Sequence, residues 1–479
     1  MGISTGKQYV SRIDQLKTNI WLDGSRVTGN ISEHEAFKGV IASQAKLYDL
    51  QHQPELQEIM TFVSTESGNR IGVSFLEPKT KEDLEKRRLM IQEWARSHAG
   101  MMGRSPDYMN TILMVLNASA ELFTAEDEKC AANIRDYYQY VKEHDLSLTH
   151  VFVSPQNNRG RQEAEGEQIA ARMVRKTEDG IVIHGSRILA TQAGMTDEIL
   201  VYPVPSNVDD EAFAYAFAIP CDTSGLSFIC RESFAYKDAS YDHPLGSRYD
   251  EMDAIVVFDN VLVPWERVFL HGSSFVKNLL YSQSNMFEQT AHQVVSKSVV
   301  KSEFITGTIQ LIINSINISE YQHVREKFSE VAIALEAMKG FLHESERNAK
   351  INQWGTMTPD PNPLLAAVNY YPRIYPRFIE IIQLMSASGL VAIPSEKDFA
   401  SDQKELLNHH LQSVCQDGYE RVKLFRLAWD LSMSAFGSRQ QLYERFFFGD
   451  SIRLADQLYS RYDRGGSVER VKDFLKEKR

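Results

Sequence analysis

Between residues 146 and 272 the chain carries short strand-like runs at 146–152, 171–177, 181–191, 199–203, 212–219, 226–230 and 254–263, and no helical period separates any two of them. That spacing constrains the fold more than any other feature. Parallel neighbours need a crossover of roughly a dozen residues or more, usually a helix. Without crossovers these runs predict an antiparallel barrel or sandwich. Asp179-Gly180 supplies a tight turn between the second and third runs.

On either side, apolar residues recur at helical spacing. Before the strands, Ser32 with Glu35 predicts a capping box, and Thr80 with Asp83 opens a helix to about His98. Ser105-Pro106 starts a third helix, with serine as cap and proline at the first helical position. A fourth is predicted over 126–143, and a hairpin around 21–27 turns at Asp23-Gly24. After the strands, 321–348 and 403–436 are the clearest helices, separated by a proline-rich break at 358–363. The expected class is α+β: an N-terminal helical domain (1–145), a central antiparallel β domain (146–272) and a C-terminal helical bundle (273–479).

Charge and composition narrow the function. With 52 Lys+Arg against 64 Asp+Glu the 479-residue chain has a net charge of −12, the wrong sign for a nucleic-acid binder. At 43% hydrophobic and 24% charged residues it is an ordinary globular chain, not a disordered or collagenous one. Cys130, Cys221, Cys230 and Cys415 form no C-x-x-C pair and read as reduced thiols. No run approaches the ~18 apolar residues of a membrane span, and the first residues lack the apolar core of a secretory signal. A soluble cytoplasmic protein is expected.

Several familiar motifs are missing or broken. No G-x-G-x-x-G follows a strand and no P-loop exists, so no dinucleotide fold is expected. Gly2-Ile-Ser-Thr-Gly6 matches a nucleophile-elbow string, but no strand precedes it. His343-Glu344 begins like a zinc-protease helix, yet Arg347 stands where its second histidine belongs. Adjacent His409 and His410 face different directions on a helix. No metal site is expected.

Four segments carry chemistry-bearing residues. Gly103-Arg-Ser-Pro-Asp-Tyr108 puts Arg104 just outside a helix N-terminus and Tyr108 in its first turn. Free backbone N–H groups, a fixed cation and a phenol hydroxyl suit an anionic oxygen. The same residues also suit an ordinary N-capped helix. In the second segment, His150 shares a strand face with Leu146, Leu148 and Phe152, and the strand runs into Pro155-Gln-Asn-Asn-Arg159. A donor-rich turn at a strand end is a common ligand position, and a solvated turn is the plain alternative. Thr191 closes a strand ahead of Gln192 and offers a hydroxyl. Tyr443-Glu-Arg-Phe-Phe-Phe-Gly449-Asp450 could stack on a ring system or fill the core.

Together these strings resemble the oxygenase component of the two-component flavin monooxygenases of the 4-hydroxyphenylacetate 3-monooxygenase family. Asp145-Leu-Ser-Leu-Thr-His150 and Phe258-Asp-Asn-Val-Leu-Val-Pro-Trp-Glu-Arg267 extend the match, which spans about 103–450. The resemblance implies an acyl-CoA dehydrogenase-like fold with a closed central β-barrel, assembled as a homotetramer. It implies reduced FAD from a separate NAD(P)H-dependent flavin reductase, O2 as co-substrate, and ortho-hydroxylation of a phenol to a catechol through a flavin C4a-hydroperoxide. Arg104, Tyr108 and His150 match the positions that hold the phenol oxygen, which implies charge stabilisation by Arg104, orientation by Tyr108 and general-base assistance by His150, a task that the unperturbed imidazole pKa of about 6.5 suits. Gln156, Asn158, Arg159 and Thr191 match flavin-contacting segments, with Phe447, Phe448, Gly449 and Asp450 expected there too. Ser206 lies in the loop 204–210 that corresponds to a substrate-gripping loop. Asp209 and Asp210 in that loop depart from the hydroxyl-rich version expected for a carboxylate tail. 4-Hydroxyphenylacetate is therefore one candidate among other 4-substituted phenols. A 4-hydroxybutyryl-CoA dehydratase, an acyl-CoA dehydrogenase and a non-catalytic scaffold are the competing readings.

Overall fold

The computed structural model describes residues 2–155, 169–192, 194–203, 210–236 and 239–476. The central strands form two open sheets. A six-stranded sheet runs, from edge to edge, Ser25–Arg26, Ile20–Leu22, Leu226–Cys230, Asp253–Pro264, Gly180–Thr191 and Arg172–Lys176. A four-stranded sheet runs Val268–His271, Tyr215–Pro220, Glu198–Val201 and Leu148–Val151. They share one hydrophobic core, where Phe217 of one meets Phe258 of the other edge-on at 6.1 Å. The closed barrel expected from the family resemblance is not what these residues form. Among the described residues, isolated bridges join Val153 to Ile188 and Ala170 to Ser186.

Most pairings are antiparallel, as the short connections require. The exceptions are the strands that enter from the helical region. Ile20 pairs in parallel with Phe228, and Leu148–Val151 runs parallel to Glu198–Val201. The hairpin turn at Asp23-Gly24 forms with both residues at positive φ, 50° and 76°, as a tight right-twisted turn demands.

Local helix signals behave unevenly. Thr80 and Asp83 cap Lys81–Ser97 reciprocally, whereas Ser105 takes the N-cap position of Pro106–Ala118 without a side-chain capping bond, with Pro106 in the first turn. Tyr321 and Asn348 bound Gln322–Arg347. The Ser32–Glu35 box does not form, because the Ser32 hydroxyl donates instead to Asp14 Oδ2 at 2.6 Å. The following helix, Lys38–Leu50, starts after Phe37. The predicted 403–436 helix is broken into Lys404–Leu411 and Gly418–Ser432, with Asp417 capping the second piece. The proline-rich break becomes a start signal: Asp360 caps Pro361–Ser386. In Gly2-Ile-Ser-Thr-Gly6, Ser4 donates to the His144 carbonyl at 3.1 Å and Thr5 caps Gly6–Gln15. That string is structural.

The long helix Met286–Ser315 runs through the bundle and packs on Lys81–Ser97 and Pro106–Ala118 as well as on Gln322–Arg347 and Pro361–Ser386. Pro106–Ala118 is buried from Pro106 through Leu116. Gln293 on the long helix donates to Asp107 Oδ2 at 2.7 Å, which fixes the start of Pro106–Ala118 against the bundle. No helix among the described residues is long and apolar enough to cross a membrane.

Candidate active site

Arg104, Tyr108 and His150 come from three places in the chain and meet where the four-stranded sheet, Pro106–Ala118 and the bundle converge. The turn carrying Arg104 is held by a buried carboxylate. Glu251 accepts from the Gly103 and Arg104 backbone N–H groups at 2.7 and 2.6 Å, and from Gln192 Nε2 at 3.2 Å. Gly103 allows the close approach of Tyr443, whose hydroxyl would stand 2.3 Å from a Cβ at that position. Arg104 then lies with its guanidinium carbon 4.4 Å from the Tyr108 ring centre and 4.8 Å from that of Phe447. Its Nη1 donates to the Tyr443 hydroxyl at 3.1 Å. Such cation–π contacts are stronger when desolvated, and Arg104 is 9% exposed.

His150 reaches the same pocket through strand alternation. Parallel pairing sets His150 opposite Leu200. Phe152 and Tyr202, each two residues further on, therefore share its face. The three rings form a stack, with His150 5.5 Å from Phe152 and 5.6 Å from Tyr202. Tyr108 tilts against the imidazole at 5.7 Å. Among the described residues, His150 Nδ1 and Arg104 Nε are buried with no hydrogen-bond partner. Unsatisfied buried polar atoms of this kind mark a place for a ligand or an ordered water.

The electrostatics follow from burial. Burial first, and the neighbouring Arg104 second, push the His150 pKa well below the ordinary imidazole value. The shift arises because the strand places the ring inside an aromatic stack. His150 is a neutral imidazole at pH 7. Burial pushes the Tyr108 phenol up to about 12, against the pull of Arg104. Burial works against the charge on Arg104, yet Tyr443, Tyr108 and Glu251 hold its pKa above the usual value.

The remaining predicted residues fall into three groups. Gln156, Asn158, Arg159 and Ser206 lie outside the described residues, as does Asp209. Thr191 is buried at a strand end, and its hydroxyl donates to Asp253 Oδ1 at 2.8 Å. Asp253 also binds Arg439 at 2.7 Å. In the C-terminal stretch, Phe447 lines the pocket, meeting Tyr108 edge-on at 5.4 Å. Phe448 instead packs on Phe287 at 5.8 Å and joins the bundle core. Gly449 is at positive φ, 111°. Asp450 caps Ser451–Arg461, accepting from the Ile452 and Arg453 N–H groups at 3.0 Å each. Asp210 likewise accepts from the Ala212 N–H at 2.9 Å, so its carboxylate serves a local turn. Among the described residues no group of three His, Cys, Asp or Glu side chains is placed to hold a metal ion.

Sequence reasoning missed Tyr202, Glu251 and the anchoring role of Tyr443. Tyr202 had a signal in the alternation of 199–203. Glu251 had none, since its partners lie 147 and 148 residues away.

His98 supports the same turn and predicts a pH dependence. Its Nδ1 accepts from the Met102 N–H at 3.1 Å, and burial pushes its pKa down to about 3. The unfolded chain takes up this proton near pH 6.5, before the folded one does, so stability is intact above about 6.5 and declines below it. Between pH 6.5 and 5 the expected loss from this residue is about 2 kcal/mol. Urea unfolding at pH 7 and pH 5, compared with His98→Asn, checks this. An equal pH loss in the variant would refute the assignment.

The architecture recurs among solved structures. An archaeal 4-hydroxybutyryl-CoA dehydratase from N. maritimus superposes with a TM-score of 0.89 at 17% identity, over 99% of this chain and 95% of that one, a likeness of fold alone. Family models are more specific: the N-terminal model of 4-hydroxyphenylacetate 3-hydroxylase matches residues 5–270, and its C-terminal model matches 277–476. The chain belongs to the 4-hydroxyphenylacetate 3-hydroxylase family. It is 48% identical to a Bacillus subtilis (strain 168) protein named probable 4-hydroxyphenylacetate 3-monooxygenase, over 99% of both chains. It is 45% identical to the 4-hydroxyphenylacetate 3-monooxygenase oxygenase component of Geobacillus sp. (strain PA-9), over 99% of this chain and 97% of that protein. A crystal structure of such an oxygenase component, complexed with FAD and 4-hydroxyphenylacetate, superposes with a TM-score of 0.94 at 43% identity, covering 99% and 98% of the two chains.

Proposed function

We propose that this chain is the oxygenase component of a reduced-FAD-dependent monooxygenase that converts a 4-substituted phenol, 4-hydroxyphenylacetate or a close relative, to its catechol. The convergence of Arg104, Tyr108 and His150, with Arg104 Nε and His150 Nδ1 lacking protein partners, carries this reading. In it, the phenol oxygen sits among these three side chains. Neutral His150 accepts the phenol proton, Tyr108 orients the oxygen, and Arg104 stabilises the phenolate that forms. Ionisation concentrates electron density on the ortho carbon. Reduced FAD and O2 supply the electrophilic oxygen atom and the two electrons that turn the other oxygen atom into water.

The described residues fit such a flavin. The Thr191 hydroxyl spends its proton on Asp253 and keeps lone pairs to accept from a flavin N–H. The half-buried rings of Tyr443 and Phe447 wall the pocket and exclude water. Of the C-terminal candidates, Phe447 is the one we assign to the site. Gln156, Asn158, Arg159 and Ser206 keep the flavin and substrate roles that the family resemblance implies.

The competing dehydratase reading needs clustered iron–sulfur ligands. Cys130 lies on a helix, Cys221 in the turn after Tyr215–Pro220, Cys230 at the end of Leu226–Cys230, and Cys415 is exposed in a loop. The test is to supply reduced FAD and a panel of phenols, and to measure catechol and hydrogen peroxide together. One phenol is expected to yield its catechol and suppress peroxide. Peroxide at the protein-free rate with every phenol would refute the proposal.

Partners follow from the same reading: a separate NAD(P)H-dependent flavin reductase, a cytoplasmic setting and a homotetramer. The division at 145 and 272 remains our domain proposal, supported by the last strand of the two central sheets ending at His271 and the next helix starting at Ser274. Self-association is supported by the last helix, Gly465–Lys476. It has no buried residue, yet Val468, Val471, Phe474 and Leu475 give it an apolar face. An apolar helix face left in water favours a partner. Deleting residues 465–479 is expected to lower the assembly state, read by light scattering. An unchanged mass would exclude this helix from the interface.

A further inference from the structure

Behind the pocket lies a charge cluster that the proposed chemistry does not yet use. Lys297 and Lys301, one turn apart on Met286–Ser315, converge on a single carboxylate, Glu444 on Ala435–Phe446. Lys301 Nζ donates to Glu444 Oε1 and to Gln440 Oε1, both at 2.7 Å. Lys297 Nζ stands 3.6 Å from the same Glu444 oxygen and has no hydrogen-bond partner among the described residues. The lysines and Glu444 are exposed by no more than 2% at their side chains. Two ammonium groups against one carboxylate leave one positive charge in excess.

The excess charge is directed at the site. Lys297 Nζ lies 4.8 Å from the Tyr443 ring centre, and the Tyr443 hydroxyl receives Arg104 Nη1 at 3.1 Å. A buried ammonium is costly unless it is paired or does something for its neighbours. The charged and titratable groups facing it among the described residues include Glu444, Lys301, Tyr443, Tyr108, Arg104, Glu251 and His98. Lys297 also draws down the pKa of Tyr108. Its effect therefore reaches the pocket. Burial pushes Lys301 down to about 8, whereas Glu444 and Tyr443 hold Lys297 above its usual value despite burial. Lys297 thus keeps its charge across the neutral range.

We propose that Lys297 is a positioning residue for hydroxylation: its ammonium holds Tyr443 against Arg104 and adds a second buried positive charge that favours ionisation of the bound phenol. This rests on the phenol-binding reading above. A unit charge within about 10 Å at an effective dielectric near 20 moves a titration by about one unit.

The test uses the full-length protein with FAD and 3-fluoro-4-hydroxyphenylacetate, whose fluorine NMR shift reports whether its phenol is ionised. In the wild type the bound phenol is expected to titrate below the free one. Lys297→Met should raise that midpoint by about one unit, a tenfold change, and lower kcat more than it raises KM. Lys297→Arg should return it towards the wild-type value. Lys301→Met removes the same excess charge from the cluster and should raise the midpoint too, which keeps the test decisive if Lys297→Met does not fold. A midpoint unmoved in the folded lysine variants would overturn the role of Lys297 and leave the phenol site standing. A probe that never binds the wild type would overturn the phenol site itself.

Discussion

Arg104→Met is expected to lower kcat/KM for phenol hydroxylation by about 100- to 1,000-fold, equivalent to about 3–4 kcal/mol of lost charge stabilisation. The Arg104 guanidinium carbon lies 4.4 Å from the Tyr108 ring centre, and its turn is pinned by Glu251 through the Gly103 and Arg104 N–H groups. Methionine fills much of the same volume and removes only the charge and the donors. The loss should appear mainly in kcat if the charge acts on the phenolate as it forms. Reduced-FAD binding should change little. Steady-state kinetics with catechol detection and a separate flavin-binding titration check both points. A variant within threefold of the wild type would refute the assigned role of Arg104.

His150→Ala is expected to reduce hydroxylation by about 100- to 10,000-fold, the range of a lost general base, with reduced-flavin binding retained. His150→Gln, which keeps a polar side chain in the ring stack, separates the chemistry from the packing gap that alanine leaves beside Phe152 and Tyr202. The pH profile adds a second check. Because burial holds the imidazole well below its ordinary pKa, kcat/KM should show no acid limb from His150 between pH 7.5 and about 6. An acid limb near 6.5 that vanishes in His150→Gln would show that the ring titrates as an exposed histidine does. Equal loss of hydroxylation and flavin binding would move His150 out of the substrate site.

Much of this site is legible in the primary structure, and the reason is local. Ser105-Pro106 dictates a helix start, so Arg104 falls just outside it and Tyr108 within its first turn. Strand alternation puts His150 and Phe152 on one face. What brings them to one pocket is not local. The parallel register of Leu148–Val151 with Glu198–Val201 delivers Tyr202 to the stack, and Tyr443 arrives from 339 residues away to touch Arg104. Spacing along the chain carries no record of such contacts.

The same division explains the errors. Ser32 and Glu35 have the right spacing for a capping box, but Asp14 offers the Ser32 hydroxyl a better-placed acceptor. The apolar period over 403–436 is real, yet Asp417 and Gly418 restart the chain as a new helix. The shift of His150 depends on desolvation, which a sequence does not display.

The sequence by itself determined the order helices, strands, helices and the mostly antiparallel pairing, because periodicity, caps and short connections act over a few residues. The tertiary structure alone decided that the strands form two open sheets, that burial pushes the His150 pKa down, that Glu251 clamps the Arg104 turn and that Lys297 shares Glu444 with Lys301 behind Tyr443. Those outcomes depend on burial and on contacts between distant segments, and they exist only once the chain has packed.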